Sequence, residues 1–251
     1  MSHWYVRSFN RDYLALYPHR DASEAREDVE AIIQLIAPKE GAPLLDLGCG
    51  AGRHLIALHK AGFRELTGLD LSSELLDIAS KRLAGIGARD VKLIQADMRR
   101  IPFVGHFATV LSLFTSFGYF EHDEENAAVL SAVQVALRPG GCFLIDYLNR
   151  DWVIAHLTLA EERNTGGRRL CIERRLTADR LRVEKTVHLV DSSGKEKVYH
   201  ESVRMYAPSD MEAMLRKAGF VEVRHYGSLR GEPHGPLSRK LVIVAKKEGK
   251  T

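Results

Sequence analysis

A strand, a glycine-rich turn and a helix follow one another within residues 43–62, and this unit restricts the fold more than any other feature of the chain. PLLDLG (43–48) is a short apolar run that stops at glycines, as a buried parallel strand does, and RHLIALHKAGF follows it with helical spacing. The unit recurs, and the later predicted strands are ELTGLD (65–70), VKLIQAD (91–97), FATVLSLF (107–114) and CFLIDYLN (142–149). Strands alternating with helices of about 10–15 residues predict a mainly parallel sheet covered on both faces.

The segments around this core follow other patterns. Residues 23–37 have the spacing of an amphipathic helix, and Ser72 is the predicted N-cap of a later one. From about residue 168 to residue 206, apolar and polar residues alternate, which predicts a three-stranded antiparallel meander. Ser209 is the predicted N-cap of a last helix, and two strands, VEVRHYGS and KLVIVAKK, follow it.

The expected fold class is therefore α/β, with a seven-stranded, mostly parallel sheet, an antiparallel last strand and a small antiparallel β insertion. We divide the chain into an N-terminal segment (1–22), a core (23–150), an insertion (151–207) and the C-terminal part of the core (208–251).

Composition narrows the class of protein. The 251 residues carry a formal net charge of +3, which is too small to bind nucleic acid or a membrane surface by charge alone. Cys49, Cys142 and Cys171 are widely spaced and odd in number, so we expect neither a disulfide framework nor a zinc site, and a reducing cytoplasm fits best. We expect no secretion signal and no membrane-spanning segment, because no apolar run is long enough for either.

The glycine turn itself is Asp46-Leu47-Gly48-Cys49-Gly50-Ala51-Gly52. Glycines at a strand-to-helix turn allow positive φ and close approach of a ligand, while the helix N-terminus supplies unpaired N–H donors. A dinucleotide-binding turn has the spacing G-x-G-x-x-G, and the third position of that spacing is Arg53 here. The spacing present is G-x-G-x-G, and a tight turn that needs glycine for packing alone is the alternative interpretation.

This spacing, with an acid two residues before the first glycine, resembles the first motif of the class I S-adenosylmethionine-dependent methyltransferases. Asp70 ends the second strand 22 residues after Gly48, where that family places an acid on the ribose hydroxyls. Asp97 in QADM (95–98) matches the family position of an acid that accepts from the adenine amino group. The resemblance covers residues 46–148 and implies a Rossmann-like methyltransferase fold with S-adenosyl-L-methionine as cofactor.

The resemblance also implies a set of cofactor-binding residues, most of them at the carboxyl ends of the first strands. They are Asp46, Gly48, Cys49, Gly50, Gly52, Arg53, Asp70, Leu71, Asp97, Met98 and Leu113. An aspartate at a strand end can instead cap the next helix, but three such acids at successive strand ends predict one common crevice. Methyl transfer from a sulfonium requires alignment and no metal, so we expect no metal site.

Candidate acceptor residues are chosen by type. Tyr119 and His122 follow the fourth strand, where either could act as a general base, although His122 could equally lie exposed at the start of a helix. The adjacent-proline motif of enzymes that methylate nucleic-acid bases is absent from the chain, which argues against a base-flipping enzyme. The remaining expected contacts are Tyr17, His19, Tyr147, Arg204 and Tyr206 with the acceptor, and Tyr13 and Arg20 with the cofactor.

Two segments keep open alternatives. The aromatic N-terminal residues, among them Trp4, Tyr5 and Phe9, either pack under the first helix or form a lid. Residues 161–204 hold 11 Lys and Arg against 8 Asp and Glu, which accounts for the whole net charge. Three interpretations of their basic side chains stay open: a solvated strand face, a site for an anionic acceptor, or a site for RNA. These side chains include Arg163, Arg168, Arg169, Arg174 and Arg175.

The insertion is expected to form one wall of the acceptor pocket or to pair with its copy in a homodimer. The function expected is methyl transfer to N or O of a small-molecule acceptor. An RNA-modifying methyltransferase and a non-catalytic or NAD-dependent nucleotide-binding protein are the alternatives.

Overall fold

Two β-sheets and seven helices make up the fold in a computed structural model, which describes residues 4–10, residue 14 and residues 22–249. The strands are β1 (Leu44–Leu47), β2 (Leu66–Asp70), β3 (Lys92–Gln95), β4 (Phe107–Ser112), β5 (Leu137–Leu148), β6 (Ala160–Thr165), β7 (Arg168–Leu176), β8 (Arg182–Val190), β9 (Glu196–Arg204), β10 (Phe220–Tyr226) and β11 (Lys240–Lys247). The helices are α1 (Trp4–Ser8), α2 (Ala22–Ile36), α3 (Arg53–Lys60), α4 (Ser73–Gly85), α5 (Asp123–Ala136), α6 (Arg150–His156) and α7 (Pro208–Lys217).

The large sheet has seven strands in the order β10-β11-β5-β4-β1-β2-β3. Strands β1 to β5 run parallel to their neighbours among themselves, whereas β11 is antiparallel to both β5 and β10. The strand order reverses between β1 and β4, so a crevice opens at the carboxyl ends of β1, β2 and β4, the usual ligand site of such sheets. The predicted seven-stranded sheet with an antiparallel last strand is confirmed.

Helices bury the sheet on both faces. On one face α2, α3 and α4 contribute Val29, Leu55 and Leu76 to a buried cluster. On the other face α5 and α7 contribute Val133 and Met211. Strand β1 is buried along its whole length, as its continuous apolar run predicted. None of the described helices is long and apolar enough to cross a membrane.

The insertion forms the second sheet, with four antiparallel strands in the order β6-β7-β8-β9. The predicted three-stranded meander is confirmed as β7, β8 and β9. The sheet has in addition a fourth strand, β6, which was not predicted and which pairs with β7 from Ala160 opposite Glu173 onward. The residues of β6, AEERNT, show no apolar alternation, and a charged edge strand is held mainly by backbone hydrogen bonds to its one neighbour. The alternation of apolar and polar residues therefore does not predict this strand.

Of the two predicted helix N-caps, Ser72 is confirmed and Ser209 is wrong. Ser72 caps α4 as predicted, since its hydroxyl accepts from the Leu75 amide at 3.3 Å. Ser209 is not a cap, because α7 already begins at Pro208 with Ala207 as its N-cap residue. Proline suits the first helical position, where no N–H donor is needed, and the Ala207 amide donates to Asp210 Oδ2 at 3.0 Å.

Candidate active site

The glycine turn joins β1 to α3 with three glycines in left-handed conformation, at φ 79° for Gly48, 52° for Gly50 and 77° for Gly52. The Gly48 amide donates to the Leu69 carbonyl at 2.8 Å, which ties the turn to β2. A Cβ atom on Gly48 would lie 2.9 Å from Ser116 Cβ, so a larger residue has no room there. Glycine is therefore required both by conformation and by close packing.

Asp70 stands at the end of β2 and faces the glycine turn. Its Oδ2 accepts from the Gly50 amide at 2.8 Å and its Oδ1 accepts from the Ser72 amide at 2.9 Å. Burial raises the pKa of this carboxyl, and the backbone hydrogen bonds partly oppose that effect. Asp70 is thus fixed in place beside the turn, with its remaining lone pairs available to a ligand.

Asp97, after β3, is bound by the side chain of Arg99. Arg99 donates from Nε to Oδ1 at 3.0 Å and from Nη2 to Oδ2 at 2.5 Å, and its Nη1 donates to Glu125 Oε1 at 2.5 Å. Burial acts to raise the pKa of Asp97, but the hydrogen bonds and charge of Arg99 outweigh it, so the pKa lies below its ordinary value. Asp97 is therefore an oriented, ionised carboxylate.

A narrow cleft of about 110 Å³ lies between these acids and the N-terminal segment. The structure brings six of the predicted cofactor residues to it, namely Gly48, Gly50, Asp70, Leu71, Asp97 and Met98. Tyr5, Val6 and Phe9 line it from the N-terminal segment. The rings of Trp4, Tyr5 and Phe9 pack in the core cluster that contains α5, whereas α2 contributes to the other cluster, so these rings do not pack under the first predicted helix. The lid interpretation stays a prediction, and Tyr5 and Phe9 line the cleft.

Of the other predicted cofactor residues, those that the structure describes do not line this cleft. Leu113 and Cys49 are buried in the core cluster beside α3, and burial raises the pKa of the Cys49 thiol well above its ordinary range. A Cβ atom on Gly52 would lie 3.0 Å from Ala79 Cβ, so its role is to allow α4 to pack against the turn. Tyr13 and Arg20 lie outside the described residues, as do Tyr17 and His19.

Asp46 and Arg53 flank the glycine turn with opposite charges. Asp46 Oδ2 and Arg53 Nη2 are buried, and neither has a hydrogen-bond partner among the described residues. Burial raises the pKa of Asp46 to about 6, although the nearby charges of His54 and Arg53 lower it. Arg53 is held from behind by Glu24, with Nη1 2.7 Å from Oε2. Arg53 Nη2 also lies 3.9 Å from Asp28 Oδ2. A carboxylate oxygen and a guanidinium nitrogen that both lack a hydrogen bond at one turn fit the ammonium and carboxylate of an amino acid.

A larger cavity of about 640 Å³ lies between the loop after β4 and the four-stranded sheet. Tyr5 and Tyr119 line both this cavity and the narrow cleft, so the two spaces adjoin. His122 also lines the cavity and is the N-cap residue of α5, whose first turn is supported by Glu125 Oε2 accepting from the His122 amide at 3.3 Å. The predicted positions of Tyr119 and His122 are thus brought to one wall, and the sheet forms the other.

Tyr147, Arg204 and Tyr206, expected at the acceptor, lie elsewhere. Tyr147 is fully buried, and its hydroxyl donates to the Arg204 carbonyl. Arg204 and Tyr206 both bind Asp123 at the start of α5, at 3.0 Å from Nε and 2.6 Å from the hydroxyl. None of the three lines the cleft or the adjoining cavity, and their contacts instead fasten the insertion to the core. A structural role replaces the expected one because the end of β9 packs inward against β5.

The prediction by motif missed several residues of these spaces. Ser116 and Phe120 line the cleft, and Arg182 and His200 line the cavity. Arg182 donates to the Phe120 carbonyl at 3.0 Å, which joins β8 to the loop after β4. The one signal for Ser116 and Phe120 was their position in the segment after the fourth strand; Arg182 and His200 depend on tertiary packing of the insertion.

Comparison with known proteins finds a family that matches part of the chain, and relatives with similar sequences. Residues 44–141 match the family described as methyltransferase domain. The chain is 28% identical over 222 residues to the cypemycin N-terminal methyltransferase of Streptomyces sp, covering 84% of this chain and 85% of that protein. It is 34% identical over 127 residues to the dTDP-3-amino-3,4,6-trideoxy-alpha-D-glucopyranose N,N-dimethyltransferase of Streptomyces venezuelae, covering 51% of each.

Among solved structures, the fold resembles an S-adenosylmethionine-bound amino pentose methyltransferase from Micromonospora echinaspora, with a TM-score of 0.70 and 25% identity. The match covers 94% of this chain and 97% of that one, so it includes the insertion. The methyltransferase domain matched at residues 44–141, the glycine turn and the strand order together agree with the Rossmann-like fold of S-adenosylmethionine-dependent methyltransferases.

Proposed function

We propose that this enzyme transfers the methyl group of S-adenosylmethionine to an amine nitrogen of a small molecule bound in the cavity beside Tyr119. The proposal rests on the charges of that cavity. Glu121 and Glu173 line it and form no ion pair with a described residue. Two unpaired carboxylates favour a cationic acceptor, and a protonated amine is such a group.

The basic residues of the same walls are already engaged. Arg175 Nε lies 2.7 Å from Glu184, Lys185 Nζ lies 3.0 Å from Glu201, and Arg174 Nη2 lies 3.0 Å from Glu161. Arg182 donates to the backbone carbonyls of Phe120 and Ser202 at 3.0 and 2.9 Å. The cavity therefore offers more unpaired negative than positive charge, which does not suit an anionic acceptor.

Residues that line the narrow cleft, together with Asp46 and Arg53 beside the glycine turn, fit the cofactor part by part. Asp70 would hold the ribose hydroxyls, Asp97 the adenine amino group, and Asp46 with Arg53 the amino-acid end. When bound, S-adenosylmethionine supplies a methyl group that its sulfonium already activates. The protein mainly aligns the two partners, and orientation alone can lower the barrier by about 7–11 kcal/mol.

The cavity also holds groups that can take a proton. An amine of ordinary pKa, about 10.4 for a lysine side chain, is protonated at neutral pH and must lose a proton before it attacks. His122 and His200 line the cavity, and Thr186 Oγ1 lies 3.2 Å from His200 Nδ1, which leaves Nε2 of that ring for the acceptor. The Tyr119 ring packs against Trp4 and Phe9, with 5.2 and 5.3 Å between ring centroids, and held in this way it would contact the acceptor and orient it.

The names of the two relatives support nitrogen as the acceptor atom. One is called an N-terminal methyltransferase of cypemycin and the other an N,N-dimethyltransferase of an amino sugar. Binding of RNA has less support, because Arg163, Arg169, Arg174 and Arg175 each lie within ion-pair distance of a glutamate. Charges that are already neutralised add little to phosphate binding.

We also propose a cellular compartment and an oligomeric state, each on a single observation. The free thiols of Cys49, Cys142 and Cys171 support the reducing cytoplasm. A homodimer is supported by β6, an edge strand whose outer backbone edge can pair with a second copy.

The test is a panel of paired acceptors, each amine accompanied by the matching alcohol, together with transfer RNA. Methyl-labelled S-adenosylmethionine is supplied, and labelled products are identified by mass spectrometry. We expect a labelled methyl group on nitrogen of an amine and none on its matching alcohol. Transfer only to alcohols or to RNA would overturn the proposal.

A further inference from the structure

The turn after β4 is strained. Phe114 and Thr115 are consecutive residues other than glycine, and both are left-handed, at φ 60° and 58°. Such residues persist only where the surroundings hold them, and they concentrate at functional sites. The next residue, Ser116, is the one that packs against Gly48, so this turn sets the distance between β4 and the glycine turn.

Asp146 of β5 holds this turn by two hydrogen bonds. Its backbone carbonyl accepts from the Thr115 amide at 2.8 Å, and its Oδ2 accepts from the Phe114 amide at 3.3 Å. The side chain is 3% exposed, and Lys240 Nζ of β11 donates to the same Oδ2 at 2.8 Å. A buried carboxylate with a cation and an amide on one oxygen is restricted to one geometry.

Phe114 connects this turn to Arg53 beside the glycine turn. Its ring has the guanidinium carbon of Arg53 5.0 Å from its centroid and Lys240 Nζ 5.7 Å from it. Arg53 Nη2 is buried without a hydrogen-bond partner among the described residues. Glu24 Oε2 lies 2.7 Å from Nη1, whereas Nη2 has Asp28 Oδ2 at 3.9 Å, within ion-pair but not hydrogen-bond distance, so packing on Phe114 adds to what sets the position of Nη2.

We propose that Asp146 and Lys240 are positioning residues that hold Phe114 so that it directs Arg53 at the carboxylate of the cofactor's amino-acid end. Neither residue belongs to the glycine turn, and each acts through Phe114. The inference concerns binding of the cofactor and does not depend on which acceptor is methylated.

The experiment compares two ligands by calorimetric titration. S-adenosylhomocysteine carries the amino-acid end, whereas 5′-methylthioadenosine has the same adenosine thioether without it. For Lys240→Met and Phe114→Leu we expect the Kd of S-adenosylhomocysteine to rise about tenfold or more, as for loss of one charge-assisted hydrogen bond. The Kd of 5′-methylthioadenosine should stay within about twofold, which is within ordinary context effects.

The chain offers matched controls. Lys246→Met removes a lysine of the same strand whose partner is the exposed Glu222 at 3.5 Å, and it should change neither Kd. Lys240→Arg keeps the charge next to Asp146 and should restore most of the affinity for S-adenosylhomocysteine. In Lys240→Met the buried carboxylate of Asp146 loses its cation. The double variant Asp146→Asn/Lys240→Met removes the charge of that carboxylate as well, so a loss of affinity that both variants share reflects lost positioning and not destabilisation by an unpaired buried charge.

Thermal unfolding confirms that each variant is folded before it is titrated. An equal loss of affinity for both ligands would overturn the proposal, because the turn would then support the whole cleft and not the amino-acid end. Unchanged affinity for S-adenosylhomocysteine in Lys240→Met and in Phe114→Leu would overturn it as well.

Discussion

The carboxylate of Asp70 accepts a hydrogen bond from the Gly50 amide at 2.8 Å, so the acid expected at the cofactor ribose also fixes the glycine turn. The two parts of the motif, 20 residues apart in sequence, therefore form one unit. A substitution of Asp70 is expected to act twice, through a lost contact to the ligand and through a loosened turn.

For Asp70→Ala we expect affinity for S-adenosylhomocysteine to fall by about 1.5–3 kcal/mol for each charge-assisted hydrogen bond removed. Asp70→Ala should also weaken the binding of 5′-methylthioadenosine, because both ligands carry the ribose. The Lys240 and Phe114 variants should not. Calorimetry on the folded variant measures both values. Asp77→Ala, an exposed aspartate of α4, is the control, and equal affinity in the two variants would contradict the assignment.

Asp46→Asn should stabilise the cofactor-free protein. Burial raises the pKa of Asp46 from 3.8 to about 6, so its ionised form is disfavoured in the folded state. Two units correspond to about 3 kcal/mol, which is the largest gain in unfolding free energy that we expect at pH 7.5. Because a carboxyl with a raised folded pKa loses its penalty as the pH falls towards 3.8, the gain should vanish near pH 4. Urea unfolding measures the free energy of unfolding of the variant and of the wild type at both pH values. The same difference between the two proteins at pH 7.5 and at pH 4 would contradict this prediction.

Cofactor affinity should depend on the charge of Asp46 in the opposite sense. The proposed role of ionised Asp46 is to bind the ligand ammonium, so the Kd of S-adenosylhomocysteine should rise as the pH falls below about 6. One pH unit below the pKa, about 90% of the carboxyl is protonated, which predicts a rise of up to about tenfold. The Kd of 5′-methylthioadenosine should stay flat. A pH response of S-adenosylhomocysteine binding that persists in Asp46→Asn would assign it to another group.

Arg99→Met should weaken the binding of S-adenosylhomocysteine and of 5′-methylthioadenosine by a similar factor. Arg99 orients Asp97 at the adenine end and packs over the Phe120 ring, with 4.3 Å between its guanidinium carbon and the ring centroid. We expect a loss of about 0.5–1.5 kcal/mol, the usual net value of a hydrogen bond, because Asp97 itself remains. Arg100→Met removes the adjacent exposed arginine and is the matched control. Equal Kd values for the two variants would show that Asp97 needs no such support.

The sequence predicted most of the core because its signals are local or periodic. Ser72 caps a helix through a hydrogen bond three residues away, and the acids at the ends of β2 and β3 reach one cleft because parallel strands end on one edge. These features need no knowledge of distant packing.

The features that failed depend on distant contacts. Tyr147 and Tyr206 have the residue type of a substrate contact, but the end of β9 packs inward and makes them structural. Strand β6 lacks an apolar pattern because it has only one neighbour. The link between Asp146 and Lys240 spans 94 residues and follows from the antiparallel register of β5 and β11, which no local pattern reveals.

Methyl transfer to an amine in the cavity beside Tyr119 is tested most directly by the acceptor KM of Glu121→Gln/Glu173→Gln, measured with an amine found in the paired panel. Because both carboxylates are exposed, we expect each to contribute about 0.3–1 kcal/mol, so the acceptor KM should rise about three- to thirtyfold. The KM for S-adenosylmethionine should not change. The double variant Glu40→Gln/Glu65→Gln makes the same charge change at exposed residues next to β1 and β2, away from the cavity, and should behave as wild type. An acceptor KM that is equal in the two double variants would contradict this placement of the acceptor.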